Sequence, residues 1–489
     1  MRFFLSLADR FRPKVCCAWL LTVATSAACT VTPARDLGPL QPQTPARLAA
    51  VDWAAAGDEA VAWLSAYLQV DTTNPPGNET RGAEFLKAIL AKEGIDGEIL
   101  EFAPGRGSLV ARLAGSGAEK PLCLMSHIDV VTAESANWAP GRGPLSGAIA
   151  DGYVWGRGAL DMKGQGILEL AAMVQLKRHK IPLKRDVVLL AVADEEVDNL
   201  GTRFLIDKHW ARIGCSHLLN EGGIGIRDVV YPGQTVFGVS VAEKGLLWLK
   251  MTARGKAGHG STQLPGRAPD RLLQALDKLR ARQLVAAVHP SLYESLAAAG
   301  RHGGGATGYV LQRPWLVDTL AVGKLMEEPG SRAMLANTCS ITGFSGMHQP
   351  NVVPSEVSAQ LDCRLLPGLK PEALLQELQA LVGDDQVSWQ VLHQAQATES
   401  PTDDPLFLAL ARHVLVGRSD AVVGPLLSVG FTDSMYARQV GVRAYGFLPV
   451  AVTRQVAETM HGADERMPVV EFKRGIRVLY GALLDVAAE

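Results

Sequence analysis

The feature that most constrains this chain is the alternation, between about residues 108 and 220, of short apolar runs with helix-like stretches. Residues 108–113, 121–126, 187–192 and 217–220 read as strands, and residues 164–179 and 201–208 read as helices between them. Strands of this length separated by helices bury their backbones best in a mostly parallel sheet with helices on both faces. At 489 residues the chain is also too long for one compact core, so two lobes are expected. The texture changes after Val236: residues 239–253 alternate as a strand, 269–286 is helical, 287–345 is glycine-rich and irregular, 356–365 is a strand and 371–382 a helix. That order describes a smaller α+β unit of the ferredoxin-like kind. The first texture returns after about residue 398, with a helical run at 405–416 and apolar pieces at 426–427 and 444–447. The expected class is α/β, with a large domain in two parts, 50–237 and 398–489, and the small domain, 238–397, inserted between them.

The N-terminus reads as an export signal at 1–29. Arg2, Arg10, Arg12 and Lys14 precede an apolar run from Val15 to Ala28, which is too short to span a bilayer as a permanent helix. Ser26-Ala27-Ala28-Cys29 resembles a bacterial lipoprotein cleavage site, with Ser26 where that pattern usually has an aliphatic residue. Lipidation at Cys29 and plain cleavage nearby are both open, and either places the body in the periplasm or on a bacterial membrane. Residues 30–49, rich in proline, threonine and alanine, read as a linker. Cys123, Cys215, Cys339 and Cys363 lack CxxC spacing and read as four core thiols rather than disulfides. The net charge of −2 provides no basic field, which argues against nucleic acid as a partner.

Open α/β sheets place their sites beyond the carboxyl ends of strands, and five groups of histidine and carboxylate fall at such places. In Ser126-His127-Ile128-Asp129-Val130, alternate residues share a side, so His127 can bind metal while Asp129 accepts its other N–H. The glycine-punctuated loop 156–164 presents Asp161, a carboxylate able to bridge two cations. Asp194-Glu195-Glu196 sets carboxylates side by side, one to ligate and one to take a proton from an attacking water. Asn220-Glu221-Gly222-Gly223 and His461-Gly462-Ala463-Asp464-Glu465-Arg466 complete the five. Histidine and carboxylate without cysteine suit zinc, cobalt or manganese. Singly, each is weak: an HxD is more often a surface or core pair, and an acidic doublet a solvated turn.

In combination and in this order, SHIDVV, GRGALDMKG, DEEVDNLGT, NEGG and HGADER resemble the M20 metallopeptidases, which include aminoacylases, carboxypeptidase S and glutamate carboxypeptidases, over about residues 55–485. The resemblance implies a catalytic domain holding two zinc ions per subunit and interrupted by a lid domain that usually makes a homodimer. It places His127 and Glu221 on one metal, Glu196 and His461 on the other, Asp161 between them, and Glu195 as general base. Gly258-His259-Gly260-Ser261 resembles the lid histidine motif, whose imidazole reaches the partner's site. Asn351 and Arg364 match the lid residues that hold substrate, and a guanidinium forks naturally onto a carboxylate. Residues 430–433 resemble a GGTD-type loop, setting Thr432 beside the substrate and Phe431 where a small residue is common. The segment 280–345 is longer than a minimal lid of this family needs.

The activity so implied is hydrolysis of an amide bond in N-acyl amino acids or short peptides with a free C-terminal carboxylate. One rival is an aminopeptidase or dipeptidase of the same family that reads a free amine. Another is a non-catalytic periplasmic ligand-binding relative, against which the presence of Glu195 and all five ligands argues.

Overall fold

The computed structural model describes residues 31–262, 264–346 and 349–489. The export signal and Cys29 lie outside the described residues. The α/β class with an inserted smaller domain is present. The large domain is built on an eleven-stranded sheet whose centre, Leu122–His127 with Val187–Val192, His217–Asn220 and Arg443–Gly446, is parallel. Antiparallel strands Gly107–Leu113 and Gly97–Glu101 extend one side. Leu122 and Leu124 enter the core beneath helices Lys163–Arg178 and Val469–Ala487, whereas Cys123 and Met125 enter a second core with Leu205 and Ala437. With helices on both faces, every residue of Leu122–His127 and Val187–Val192 is buried. This accounts for their continuous rather than alternating apolar character.

In the smaller domain, strands Gly245–Arg254, Thr338–Ser345, Glu356–Leu365 and Val387–Ala395 form an antiparallel sheet, with Gly245–Arg254 between the last two. Helices Ala268–Arg280 and Pro371–Val382 pack Leu272, Leu276, Leu374 and Leu378 onto it. The order is ferredoxin-like. The stretch 239–253 that reads as one strand is two: Thr235–Glu243 belongs to the large sheet and Gly245 begins the small one. The crossing therefore falls at Lys244, later than the expected 238. Its buried ammonium donates to the carbonyls of Ala333 and Ala336 at 2.9 and 2.7 Å. The chain returns alongside, with Thr398 opposite Glu243.

Three other expectations change. The stretch read as irregular within 287–345 contains helices Pro290–Gly303, Gly305–Leu311 and Pro329–Leu335, two of them opened by proline at the first turn. Gly304, at φ 65°, makes the joint that lets the first two meet. The first of these helices rests on the large domain, where Ser295 donates to the Pro425 carbonyl at 2.6 Å and Gln234 to that of Ala299 at 3.1 Å. The expected linker is docked instead of free: it includes helix Thr44–Ala49, Leu37 accepts from Arg412 at 2.6 Å, and Thr44 donates to Asp485 at 2.7 Å. The four body cysteines are paired, Cys123 with Cys215 and Cys339 with Cys363. Cys339 and Cys363 face each other on adjacent strands, a proximity that their spacing in sequence does not reveal. Among the described residues no helix is long and apolar enough to cross a membrane.

Candidate metal centre

Strand register assembles the site. Leu124 lies opposite both Leu189 and Leu219, so His127, the 194–196 turn and Glu221 emerge at one edge of the sheet. Glu221 is held close by its neighbour strand: a Cβ on Gly446 would stand 1.9 Å from the Glu221 carbonyl oxygen, so only glycine fits there. Asp194 and His461 adopt left-handed φ of 70° and 57°. Such conformations are costly and concentrate at functional sites. Asp194 is secured by Arg106, by Asn74 at 2.9 Å and by the Leu200 N–H at 3.2 Å.

Two groups of three result, His127, Asp161 and Glu221 in one and Asp161, Glu196 and His461 in the other, with the donor atoms of each within 4.8 Å of one another. Asp161 belongs to both. One of its oxygens is 3.1 Å from His127 Nε2 and the other 3.0 Å from His461 Nε2. His461 Nε2 is also 3.2 Å from Glu196, and His127 Nε2 is 3.9 Å from Glu221. Hydrogen bonds that the imidazole donates to Asp161 and Glu196 push His461 up to about 10. Burial and the neighbouring charges push Glu195 and Glu221 well above the ordinary carboxylate range. This is an excess of acidic groups around a shared carboxylate, and it fits a pair of divalent cations.

Asp129 serves a different purpose from the one expected. His127 Nδ1 meets the Asp129 backbone carbonyl at 2.9 Å, while the Asp129 carboxylate is 3.8 Å away. The carbonyl fixes the tautomer. The carboxylate instead accepts the backbone N–H groups of Glu195 and Glu196, each at 3.1 Å, and an amide N–H of Asn74 at 2.9 Å. Asp129 thereby orients both glutamates at once. Among the described residues, the Glu195 carboxyl forms no hydrogen bond or ion pair, although it feels the charges of Glu221, His127, Asp433 and Glu196.

One residue that the motif reading left without a role supports this centre. Glu465 is fully buried, and its carboxylate accepts from Gly158, Leu160 and Asp161 N–H groups at 3.0, 2.7 and 3.0 Å and from Arg157 at 2.6 Å. The only signal in the sequence was its place in the HGADER phrase. Asp433 is buried too, with Asn199 donating at 3.1 Å, and burial raises it to about 7.

Arg364 stands where the two domains meet. Asp362 holds its Nε and Nη2 at 2.7 and 2.9 Å, its guanidinium lies 5.1 Å from the centre of the Phe431 ring, and its buried Nη1 has no partner among the described residues. Phe431 in turn meets the edge of Trp248, with ring centres 6.5 Å apart. Thr432, expected to touch substrate, is buried with its hydroxyl occupied: it donates to Glu243 at 2.6 Å and accepts from Ser434 N–H at 3.1 Å as a helix cap. His259 and Asn351 are exposed on the small domain, where Gly260 N–H donates to the Asn351 carbonyl at 2.7 Å. Among the described residues no hydrogen bond or ion pair joins His259, Asn351 or Arg364 to the two groups of three.

A model of peptidase family M20/M25/M40 matches residues 123–485. The chain is 27% identical over 372 residues to a probable carboxypeptidase S-like 2 of Dictyostelium discoideum, covering 74% of this chain and 70% of that protein. It is 24% identical over 441 residues to the human N-fatty-acyl-amino acid synthase/hydrolase PM20D1, covering 85% of this chain and 86% of that one. Its fold is similar to that of the M20 family metallo-carboxypeptidase Sso-CP2 from Sulfolobus solfataricus, with a TM-score of 0.64 and 19% identity over 88% of this chain and 99% of the other.

Proposed function

Because the chain belongs to the M20 peptidase family, whose members hydrolyse amide bonds, we propose that it cleaves N-acyl amino acids or short peptides beside a free C-terminal carboxylate. The observation that carries the reading is Glu195, unpaired among the described residues, beside two ligand groups that share Asp161. His127 and Glu221 would hold one cation, Glu196 and His461 the other, and Asp161 both, with zinc first and cobalt or manganese as alternatives. When bound, such a pair supplies Lewis-acid polarisation of the scissile carbonyl and acidifies a water. Glu195, with no partner among the described residues and an affinity for protons raised by burial, takes the proton from the attacking water and passes it to the leaving nitrogen. Arg364 offers Nη1 and its planar fork to the substrate carboxylate, and Asn351 helps to seat it. The human relative, an N-fatty-acyl-amino acid synthase/hydrolase, supports the acyl-amino-acid choice.

We further propose that the protein is exported and dimerises through the small domain, with His259 completing the partner's site. The basic and apolar N-terminus supports export, and two disulfides suit an oxidising compartment. A panel of N-acyl amino acids, their C-terminal amides and unblocked dipeptides, tested on metal-loaded protein, decides the substrate. Loss of a buried charge partner is worth about 2–5 kcal/mol, so free acids should exceed amides by roughly thirtyfold or more in kcat/KM. Preference for unblocked dipeptides would overturn the reading. Fractionation of producing cells tests export separately.

A further inference from the structure

We propose that residues 309–326 form a membrane-contacting face, on which Trp315, Leu316 and Leu320 rest against a lipid bilayer beside the point where the chain leaves toward Cys29. The proposal draws on the export reading above but not on the amidase reading. Tyr309, Trp315 and Leu320 are 55%, 49% and 44% exposed, whereas Val317 is fully buried. Trp315, Asp318, Thr319 and Leu320 are exposed and Leu316 is half-buried, so the outward side of this segment carries large apolar side chains beside one carboxylate, which the Tyr293 hydroxyl engages.

What covers it follows from the chain itself. Thr32 N–H donates to the Gln312 carbonyl at 2.8 Å, and Arg301 donates to the Thr32 carbonyl at 2.8 Å. The N-terminal segment is thus pinned to the same stretch, at a residue between Tyr309 and Trp315. Cys29 is three residues upstream of Thr32. Even fully extended, those residues reach no more than about 11 Å. A lipid on Cys29, or an uncleaved apolar run before it, would therefore hold the bilayer within that distance of Thr32, beside this face. The side chains suit that depth: tryptophan and tyrosine favour the headgroup region, and the Arg313 guanidinium, 3.5 Å from the Tyr309 ring centre, offers a cation to anionic lipid. Contact here would fix the orientation of the body on the membrane.

The test uses the full chain reconstituted into phosphatidylethanolamine and phosphatidylglycerol vesicles with brominated acyl chains, which quench only tryptophans in contact with lipid. Trp19→Phe throughout removes the tryptophan of the apolar run, leaving eight of nine. Quenching of about one part in eight of the emission is expected, absent in Trp315→Phe and absent in Leu316→Ser/Leu320→Ser, which retains Trp315. These positions lie outside the ligand groups, so turnover of a soluble substrate should be unchanged and reports intact folding. Emission from Trp315 that vesicles leave unquenched overturns the proposal, as does a lower oligomeric mass of Leu316→Ser/Leu320→Ser than of the parent in solution, which would make the face a contact between two copies. Mass spectrometry of the N-terminal peptide reports lipidation of Cys29 independently, so failure of the anchor and failure of the face are told apart.

Discussion

The backbone N–H of Asp161 donates to the carboxylate of Glu465 at 3.0 Å, so the residue shared by both ligand groups is positioned by a buried acid from the far end of the chain. The same carboxylate meets Gly158 and Leu160 N–H groups and Arg157. Glu465→Gln turns one acceptor oxygen into a donor that faces other donors. Metal affinity should fall by about ten- to a hundredfold, the usual cost of losing a group that orients a ligand, with the fold retained. Isothermal titration with zinc checks this, and unchanged affinity would show that the 156–164 loop holds itself.

Glu195 and Glu196 are neighbours with separate duties, both fixed by the fork of Asp129. Glu195→Ala should keep two metals per chain and lose about a hundredfold to ten thousandfold in kcat. Glu196→Ala should lose metal. Metal analysis beside turnover checks both, and equal metal loss in the two variants would remove Glu195 from the role of base.

Arg364→Lys keeps the charge but not the planar fork that Asp362 and Phe431 hold in place. Turnover of free-acid substrates should drop sharply while that of the already weak amides changes little. Comparing kcat/KM on the two series reads this directly. A uniform loss would mean that the arginine serves the contact between domains.

His259 lies on the small domain, apart in its own chain from the ligand groups. If it acts on the partner, refolding inactive His259→Ala and Glu195→Ala proteins together at equal concentration should give about half mixed dimers and roughly a quarter of the native activity, by random pairing. With proven subunit exchange, absence of recovery would place His259 at its own site.

Asp485 ties the N-terminal segment down through Thr44 at 2.7 Å and also meets His413 at 3.0 Å. Burial raises its carboxyl, but hydrogen bonds from His413 and Thr44 and the charges of His413 and Arg412 outweigh that and hold it below the usual range. A carboxyl whose folded value is lowered contributes its full stability above the unfolded value, near about 3.9, and loses it as the pH falls through the folded one. Asp485→Asn should therefore cost about 1–3 kcal/mol at pH 7, with the gap in Tm closing in more acidic solution. Thermal melts of both proteins at neutral and acid pH provide the comparison.

The sequence by itself determined the class of fold and the candidate ligands, because both are written locally. A strand buried on two faces must be apolar throughout, as Val187–Val192 is, and the carboxyl ends of such strands carry His127, Glu195, Glu196 and Glu221. Asp161 and His461 were legible only in combination with these, by their order. What the tertiary structure alone decided are relations between distant positions: Glu465 with Asp161, Asp129 with the Glu195 and Glu196 N–H groups, Cys339 with Cys363, and the docking of residues 31–49. Thr432 was misplaced for the same reason. Whether its hydroxyl is free for a ligand depends on Glu243 and Ser434, and that became visible only when the strand ending at Glu243 was laid against it. Periodicity and residue chemistry act over a few residues, whereas hydrogen-bond partners across a core are chosen by packing.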